Sequence, residues 1–448
     1  MSQRSIHIKT FGCQMNVYDS DRMGGLLTLG GYLWEPDLRK ADVILINTCS
    51  IRDKSEHKVL SLLGQLKPLK DENPKKVIGV SGCVGQRLGR SLLQRVPHLD
   101  LVFGPDSVDR VKELVDEVVL NGRRVLETKL EEGGRAYSQP THVPTRPSRP
   151  AEYLTIMKGC DHFCTYCIVP FVRGREKSRP IHEILEDVRG FVAGGTKEVT
   201  FLGQNINTYG KGTGETLAEL IEKTHAIPGL ERIRYVTSHP RDLGEDLISQ
   251  FGKLEKLCPS LHLPFQSGSD RILKAMSRLY TRDEYLLKIE KLRAACPAIA
   301  LSTDVIVGFP GETDEDFEKT VEVLNRVEFS MAFLFKYSPR PGTRAFALSE
   351  EIPEVVKEER LARVQQLSLR QIERENGRLL GTTVQCLVES IDKKGLCYSG
   401  RTVHNKLVHV LNSGPSCQGK ILDVEVTETN GSNVKGYFAG APRVVRTA

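Results

Sequence analysis

Residues 159–167 read GCDHFCTYC, and the chain is best understood outward from them. Cys160, Cys164 and Cys167 fall at i, i+4 and i+7, so a tight loop can bring three sulfurs round one small object. Three thiolates hold three corners of a cubane iron–sulfur cluster and leave the fourth iron open to a substrate or cofactor. Two other readings stand beside this one. On a helix, the same spacing puts three small buried hydrophobes on one face, although Gly159 before the run and Pro170 after it argue for a loop. With His162 inside the run, zinc can take three sulfurs and one imidazole. The run alone leaves all three readings open.

The loop follows the apolar stretch 153–159, the first of six candidate strands; the others are 198–203, 233–238, 261–265, 301–309 and 333–338. Helical patterns separate them. Six units are too few for a closed eight-fold barrel but suit an open, partial (β/α)6 barrel, whose active groups belong at the carboxyl ends of the strands. After the cysteine loop, the second end carries Gly203, Gln204 and Asn205, and the third Ser238 and His239. The fourth carries Gln266, Ser267 and Gly268, and the fifth Gly308 to Glu312.

Upstream, residues 1–125 alternate strands at 6–11, 41–48, 75–82 and 99–104 with helical patterns, which predicts a doubly wound Rossmann or flavodoxin-like α/β domain. Cys13, Cys49 and Cys83 each follow the carboxyl end of one of its first three strands, where open α/β sheets place their ligands. Singly, each reads as a small buried residue. All three at equivalent positions look like a second set of metal ligands. Gly12, Gly82 and Gly85 allow close backbone approach to a bulky group, and Asn16 and Asn47 are placed to bond nearby sulfurs or to cap helices.

Residues 126–150, with Pro140, Pro144, Pro147 and Pro150, read as an extended linker to a core domain at 151–375. A helical segment near 355–380 offers the stripe Leu361, Val364 and Ile372 to that core. The last block, 376–443, holds five short strands (384–390, 396–401, 407–412, 421–429 and 434–440), which predicts a small, OB-like β-barrel. From residue 382 onward it has eight Lys and Arg against five Asp and Glu, a weak footprint for RNA. The whole chain of 448 residues has a formal charge of +6, which neither demands nor excludes a nucleic-acid partner. With no secretion signal and no apolar run able to span a bilayer, a cytoplasmic protein with no membrane partner is expected. Its eleven cysteines then point to metal or redox chemistry rather than disulfides. Cys258, Cys296, Cys386, Cys397 and Cys417 read by default as buried structural cysteines.

The run 159–180, GCDHFCTYCIVPFVRGREKSRP, is similar to the cluster loop of the radical S-adenosylmethionine enzymes. With FGCQMN (11–16), LINTCSIR (45–52), SGCVGQ (81–86), FLGQNINTYG (201–210), LHLPFQSGS (261–269), DVIVGFPGET (304–313) and YSPRPGT (337–343), the chain resembles the methylthiotransferases of that superfamily along its length. The last block resembles their TRAM RNA-binding domain. The resemblance is strongest to the branch that adds a methylthio group to C2 of N6-dimethylallyl (isopentenyl) adenosine beside the tRNA anticodon.

The resemblance implies that Cys160, Cys164 and Cys167 bind a 4Fe-4S cluster whose open iron chelates S-adenosylmethionine, and that Cys13, Cys49 and Cys83 bind an auxiliary 4Fe-4S cluster. Reductive cleavage of S-adenosylmethionine to methionine and a 5′-deoxyadenosyl radical would follow. Sulfur would come from the auxiliary cluster and the methyl group from another S-adenosylmethionine. Tyr166 resembles the aromatic position whose backbone meets the adenine. Gly203, Gln204 and Asn205 stand where related enzymes hold the methionine ammonium with Gly-Gly-Glu; the Glu is missing here. Ser238, Gln266 and Asp304 are further cofactor candidates. Arg173, Arg175, Lys177 and Arg179 are placed to hold phosphates or to form a solvated basic face.

The implied partners are a tRNA anticodon stem-loop and an external electron donor of flavodoxin or ferredoxin type, with the chain acting as a monomer. Two alternatives keep the chemistry and change the substrate, to threonylcarbamoyl-adenosine of tRNA or to an aspartate of a small-subunit ribosomal protein. A third, of another class, is a non-catalytic iron–sulfur or zinc protein that binds RNA.

Overall fold

The computed structural model describes residues 3–50, 53–130, 148–349, 351–411, 416–431 and 433–439. Most of the expected linker, with Pro140, Pro144 and Pro147, lies outside them.

The first block is a fully parallel sheet of six strands, β1 (Ser5–Phe11), β2 (Leu33–Trp34), β3 (Val43–Thr48), β4 (Val77–Ser81), β5 (Leu101–Phe103) and β6 (Val125–Glu127), in the order β2-β1-β3-β4-β5-β6. Alternation within β3 explains the two-sided winding. Val43 and Leu45 join Ile6, Met23, Leu27 and Val111 on one face, while Ile44 and Ile46 join Val59, Leu63 and Leu92 on the other. Helices α1 (Gln14–Leu29) and α4 (Val111–Asn121) cover the first face, and α2 (Asp53–Glu72) and α3 (Gly82–Arg95) the second. The short edge strands β2 and β6 are additions to the four expected strands, and β6 runs past residue 125.

The central block has β7 (Ala151–Thr155), β10 (Glu198–Leu202) and β11 (Arg232–Tyr235) in one parallel sheet, and β12 (Ser260–His262), β13 (Ala300–Val307) and β14 (Met331–Lys336) in another. A parallel bridge between Ile233 and Leu257 carries the pairing from β11 toward β12, so six strands in chain order form the partial barrel. Val199, Phe201, Ile233, Tyr235 and Val305 pack under the helices in one large core. The expected first strand is interrupted: after β7 comes β8 (Met157–Lys158), paired antiparallel with β9 (Lys177–Ser178). This two-stranded ribbon closes the base of the loop that carries Cys160, Cys164 and Cys167.

In the long helix Glu354–Gly377, Val364 and Ile372 are buried and Leu361 packs against the barrel core. The last block is a closed barrel, β15 (Thr383–Ile391), β16 (Cys397–Thr402), β17 (Leu407–Leu411), β18 (Ile421–Asn430) and β19 (Asn433–Phe438), ordered β15-β16-β17-β19-β18. Buried arginines of β11 dock it to the central block. Arg232 Nη1 donates to Arg401 O at 2.8 Å, Arg234 Nη2 to Thr402 O at 2.7 Å and Nη1 to Val403 O at 2.9 Å, while Arg234 Nε pairs with Glu198 at 2.8 Å.

Candidate active site

β1, β3 and β4 lie side by side in register, Phe11 against Thr48 and Asn47 against Ser81, so the residues just beyond their ends meet. Cys13, Cys49 and Cys83 are those residues, and their sulfurs are in hydrogen-bonding contact through Cys49. Gly82 sits at φ +84°, and a Cβ there would lie 2.4 Å from Thr48 O, so only glycine lets β4 bring Cys83 this close. Asn16 bonds both the sulfur and the backbone N of Cys13, as expected, whereas Asn47 bonds Asn16 and Ser20 rather than a sulfur. Cys13 Sγ donates to Asn16 Oδ1 at 3.4 Å, and Asn16 Nδ2 donates to Asn47 Oδ1 at 3.1 Å, which ties the ends of β1 and β3.

Bonding by the Cys49 thiol, helped by the Arg173 guanidinium nearby, pulls Cys13 down to about 7 and Cys83 to about 6. Cys49 is pushed up, because it keeps the proton it shares with its two neighbours. Next to Cys49 and Cys83 in the chain, the buried hydroxyls of Thr48, Ser50 and Ser81 find no hydrogen-bond partner among the described residues. A buried polar group without a partner is costly. Three convergent sulfurs, with unsatisfied buried donors next to them in the chain, suit an inorganic group that carries sulfide acceptors.

The second triad comes from one loop. Gly159 opens it at φ +79°, with Arg175 O only 2.0 Å from where a Cβ would stand. Cys160 N donates to Gly174 O at 3.2 Å, Cys167 N to Cys164 O at 3.0 Å, and Thr165 N to Met276 O at 3.0 Å. Cys160 and Cys164 are buried and Cys167 is half-buried. Burial pushes the Cys160 thiol up and Cys167 up to about 12. Buried Arg278 donates from Nη1 to Cys164 Sγ at 3.6 Å and from Nη2 to Pro264 O at 3.0 Å. His162 directs Nε2 to Asp242 Oδ2 at 2.5 Å and stacks on His239 with ring centroids 4.2 Å apart. Its imidazole therefore braces the loop against the end of β11, a role absent from the zinc reading.

The cofactor candidates divide. Gln204 Oε1 accepts from Gly159 N, so its side chain holds the loop. Gly203 leaves no room for a side chain, since a Cβ would meet Met157 at 2.6 Å. Asn205 Nδ2 donates to Asp242 at 2.8 Å, while its Oδ1 and the Ser238 hydroxyl are buried without partners among the described residues. Gln266 adopts φ +66° and bonds through its backbone, N to Asp304 O at 2.9 Å. Asp304 is partly exposed, 3.5 Å from His262 Nε2. Tyr166 packs against the cluster of Ile272, Met276, Phe309, Tyr337 and Ala345.

The basic run after the loop corrects the expectation of phosphate contacts. Arg173 is buried and bonds Asp19 at 3.0 Å, Arg179 is fully buried and bonds Asp187 at 2.9 Å, and Lys177 is buried 3.8 Å from Asp106. Of the four, Arg175 alone is exposed, 2.9 Å from Asp161. Arg278 and Asp242 were missed in the sequence. Neither sits in a spaced pattern, and each reaches the cysteine loop from a different part of the chain. Cys258 and Cys386 are buried, as expected by default, whereas Cys296, Cys397 and Cys417 are partly exposed.

Residues 154–324 match the Radical SAM superfamily, and residues 5–104 match the uncharacterized protein family UPF0004. The chain is 44% identical to a tRNA-2-methylthio-N(6)-dimethylallyladenosine synthase of Carboxydothermus hydrogenoformans, over 98% of this chain and all of that one. It is 45% identical to the enzyme of the same name from Geobacter metallireducens, over 98% and 99%. Among solved structures, a radical S-adenosylmethionine methyltransferase, TsrM, from Kitasatospora setae shares the fold, with a TM-score of 0.56 at 12% identity over 77% of each chain.

Proposed function

This chain belongs to the radical S-adenosylmethionine methylthiotransferases, in their tRNA-2-methylthio-N(6)-dimethylallyladenosine synthase branch, and we propose how its two cysteine triads divide that work. The enzyme methylthiolates C2 of N6-dimethylallyladenosine in tRNA, using a 4Fe-4S cluster and S-adenosylmethionine. In our reading, Cys160, Cys164 and Cys167 hold the radical-generating cluster, and Cys13, Cys49 and Cys83 hold a second 4Fe-4S cluster that supplies sulfur. The observation that carries this is the convergence of Cys13, Cys49 and Cys83 at three adjacent strand ends, with the unsatisfied buried hydroxyls of Thr48, Ser50 and Ser81 next to them in the chain.

Bound at the loop, the cluster and S-adenosylmethionine supply a carbon radical able to attack an aromatic C–H bond that no side-chain base can deprotonate. The protein positions and shields. Gln204, His162 and Asp242 hold the loop against the ends of β10 and β11, and the open valences of Asn205 and Ser238 are suited to orient the cofactor. Phe333 stands in register with Asp304 and is exposed, as is Phe335, so the two give an apolar wall suited to a dimethylallyl group. The target base must leave its stack, which costs a few kcal/mol and is cheapest in a single-stranded loop.

In this reading residues 1–125, extended to β6, carry the sulfur-supplying cluster, 151–375 the radical-generating core, and 376–443 the barrel that grips the anticodon stem-loop. An external electron donor of flavodoxin or ferredoxin type reduces the clusters, and the chain acts as a monomer. Among the described residues, no helix is long and apolar enough to cross a membrane. We place the enzyme in the cytoplasm, with its tRNA.

Nucleoside mass spectrometry of tRNA from a deletion strain tests the activity. The methylthiolated prenyl-adenosine should vanish and its unmodified precursor accumulate; persistence of the product overturns the reading. Anaerobically reconstituted protein should carry about eight irons and eight sulfides.

A further inference from the structure

We propose that Arg173 is a positioning residue of the second cluster: contributed across the domain interface, its guanidinium balances the charge of the group held by Cys13, Cys49 and Cys83 and sets its reduction potential, with Asp19 as the opposing charge. The inference rests on the reading that this triad carries a cluster.

Arg173 ends the short helix α5 (Val169–Arg173), which is separated from Cys167 only by its N-cap, Ile168. Ile168 and Val172 pack against Cys83, so the chain that leaves one triad lies on the other. Arg173 is 4% exposed. Its Nη2 is held by buried Asp19 at 3.0 Å, and the guanidinium also makes a hydrogen-bonding contact with Cys83. A purely structural ion pair with Asp19 has no need to turn its other side to a cysteine of the triad.

Charge gives the second argument. A cubane on three thiolates is anionic, and a buried anion needs a nearby cation or hydrogen-bond donors. Arg173 is the cation felt by both Cys13 and Cys83. Net charge and hydrogen bonds to sulfur are among the levers that set the potential of such a cluster. Removing positive charge makes reduction harder, and removing negative charge makes it easier.

The test uses full-length protein with Cys160, Cys164 and Cys167 changed to Ala, so that the second cluster is measured alone by a redox titration followed by electron paramagnetic resonance. Arg173→Gln should move the midpoint to more negative potential, Arg173→Lys should restore most of the shift, and Asp19→Asn should move it to more positive potential. An unmoved potential, or Arg173→Gln and Asp19→Asn shifting the same way, overturns the proposal. Should Arg173→Gln fail to fold, Asp19→Asn decides alone, and a midpoint that does not rise overturns it. If the parent triple variant binds no cluster at all, the two-cluster reading fails and takes this inference with it.

Discussion

Cys160, Cys164 and Cys167 come from a single loop, whereas Cys13, Cys49 and Cys83 come from three strand ends that only the register of a parallel sheet unites. The loop triad depends on local backbone: a left-handed glycine at its start and a two-stranded ribbon at its base. The sheet triad depends on the whole first domain. Their electrostatics differ too. Burial dominates at the loop and pushes Cys160 and Cys167 up, whereas contact among the sulfurs and a buried guanidinium pull Cys13 and Cys83 down. Two groups of three cysteines are thus built differently, one by a local loop and the other by a sheet on which a helix of the central block packs.

The sharpest way to break this contrast is to remove one sulfur from each. Cys164→Ala should abolish release of 5′-deoxyadenosine and all methylthiolation. Cys49→Ala should keep the first and lose the second, with iron reduced to about four per chain in either case. Chromatography with mass spectrometry of the nucleosides checks it, and loss of deoxyadenosine in both variants would erase the division of labour.

Next in size is Arg278→Met, which removes a buried guanidinium bonded to Cys164, Pro264 O and the Tyr280 hydroxyl. It should cost about 1–3 kcal/mol of stability, because buried acceptors lose their donor, and should lower iron retention at the loop while sparing the sheet triad. Denaturant unfolding and iron counts against the Cys49→Ala background test it.

Gly159→Ala should act on the loop alone. With φ +79° and a carbonyl in the way, it should cost about 1–3 kcal/mol, seen as a lower Tm and slower cluster assembly. The smallest effect belongs to Arg175→Ala. This exposed partner of Asp161 should change stability by no more than about 1 kcal/mol, in contrast to its buried neighbour Arg173.

Much of the fold was legible because its signals are local. Strand runs such as VILINT, with both faces apolar, announce a parallel sheet covered on two sides. The strand ends of the partial barrel followed from the same patterning. What escaped was non-local: Asp242 and Arg278 have no spacing to betray them, and Gln204 pointed to a cofactor but holds the backbone of Gly159.

The sequence by itself determined the three blocks, the two sets of cysteines and their places at strand ends, because hydrophobic period and residue spacing act over short stretches of chain. Only the tertiary structure decided the meaning of the basic run after the loop. Carboxylates from elsewhere, Asp19, Asp106 and Asp187, come to meet Arg173, Lys177 and Arg179. A buried charge requires a partner, and no local pattern says which distant residue will supply it.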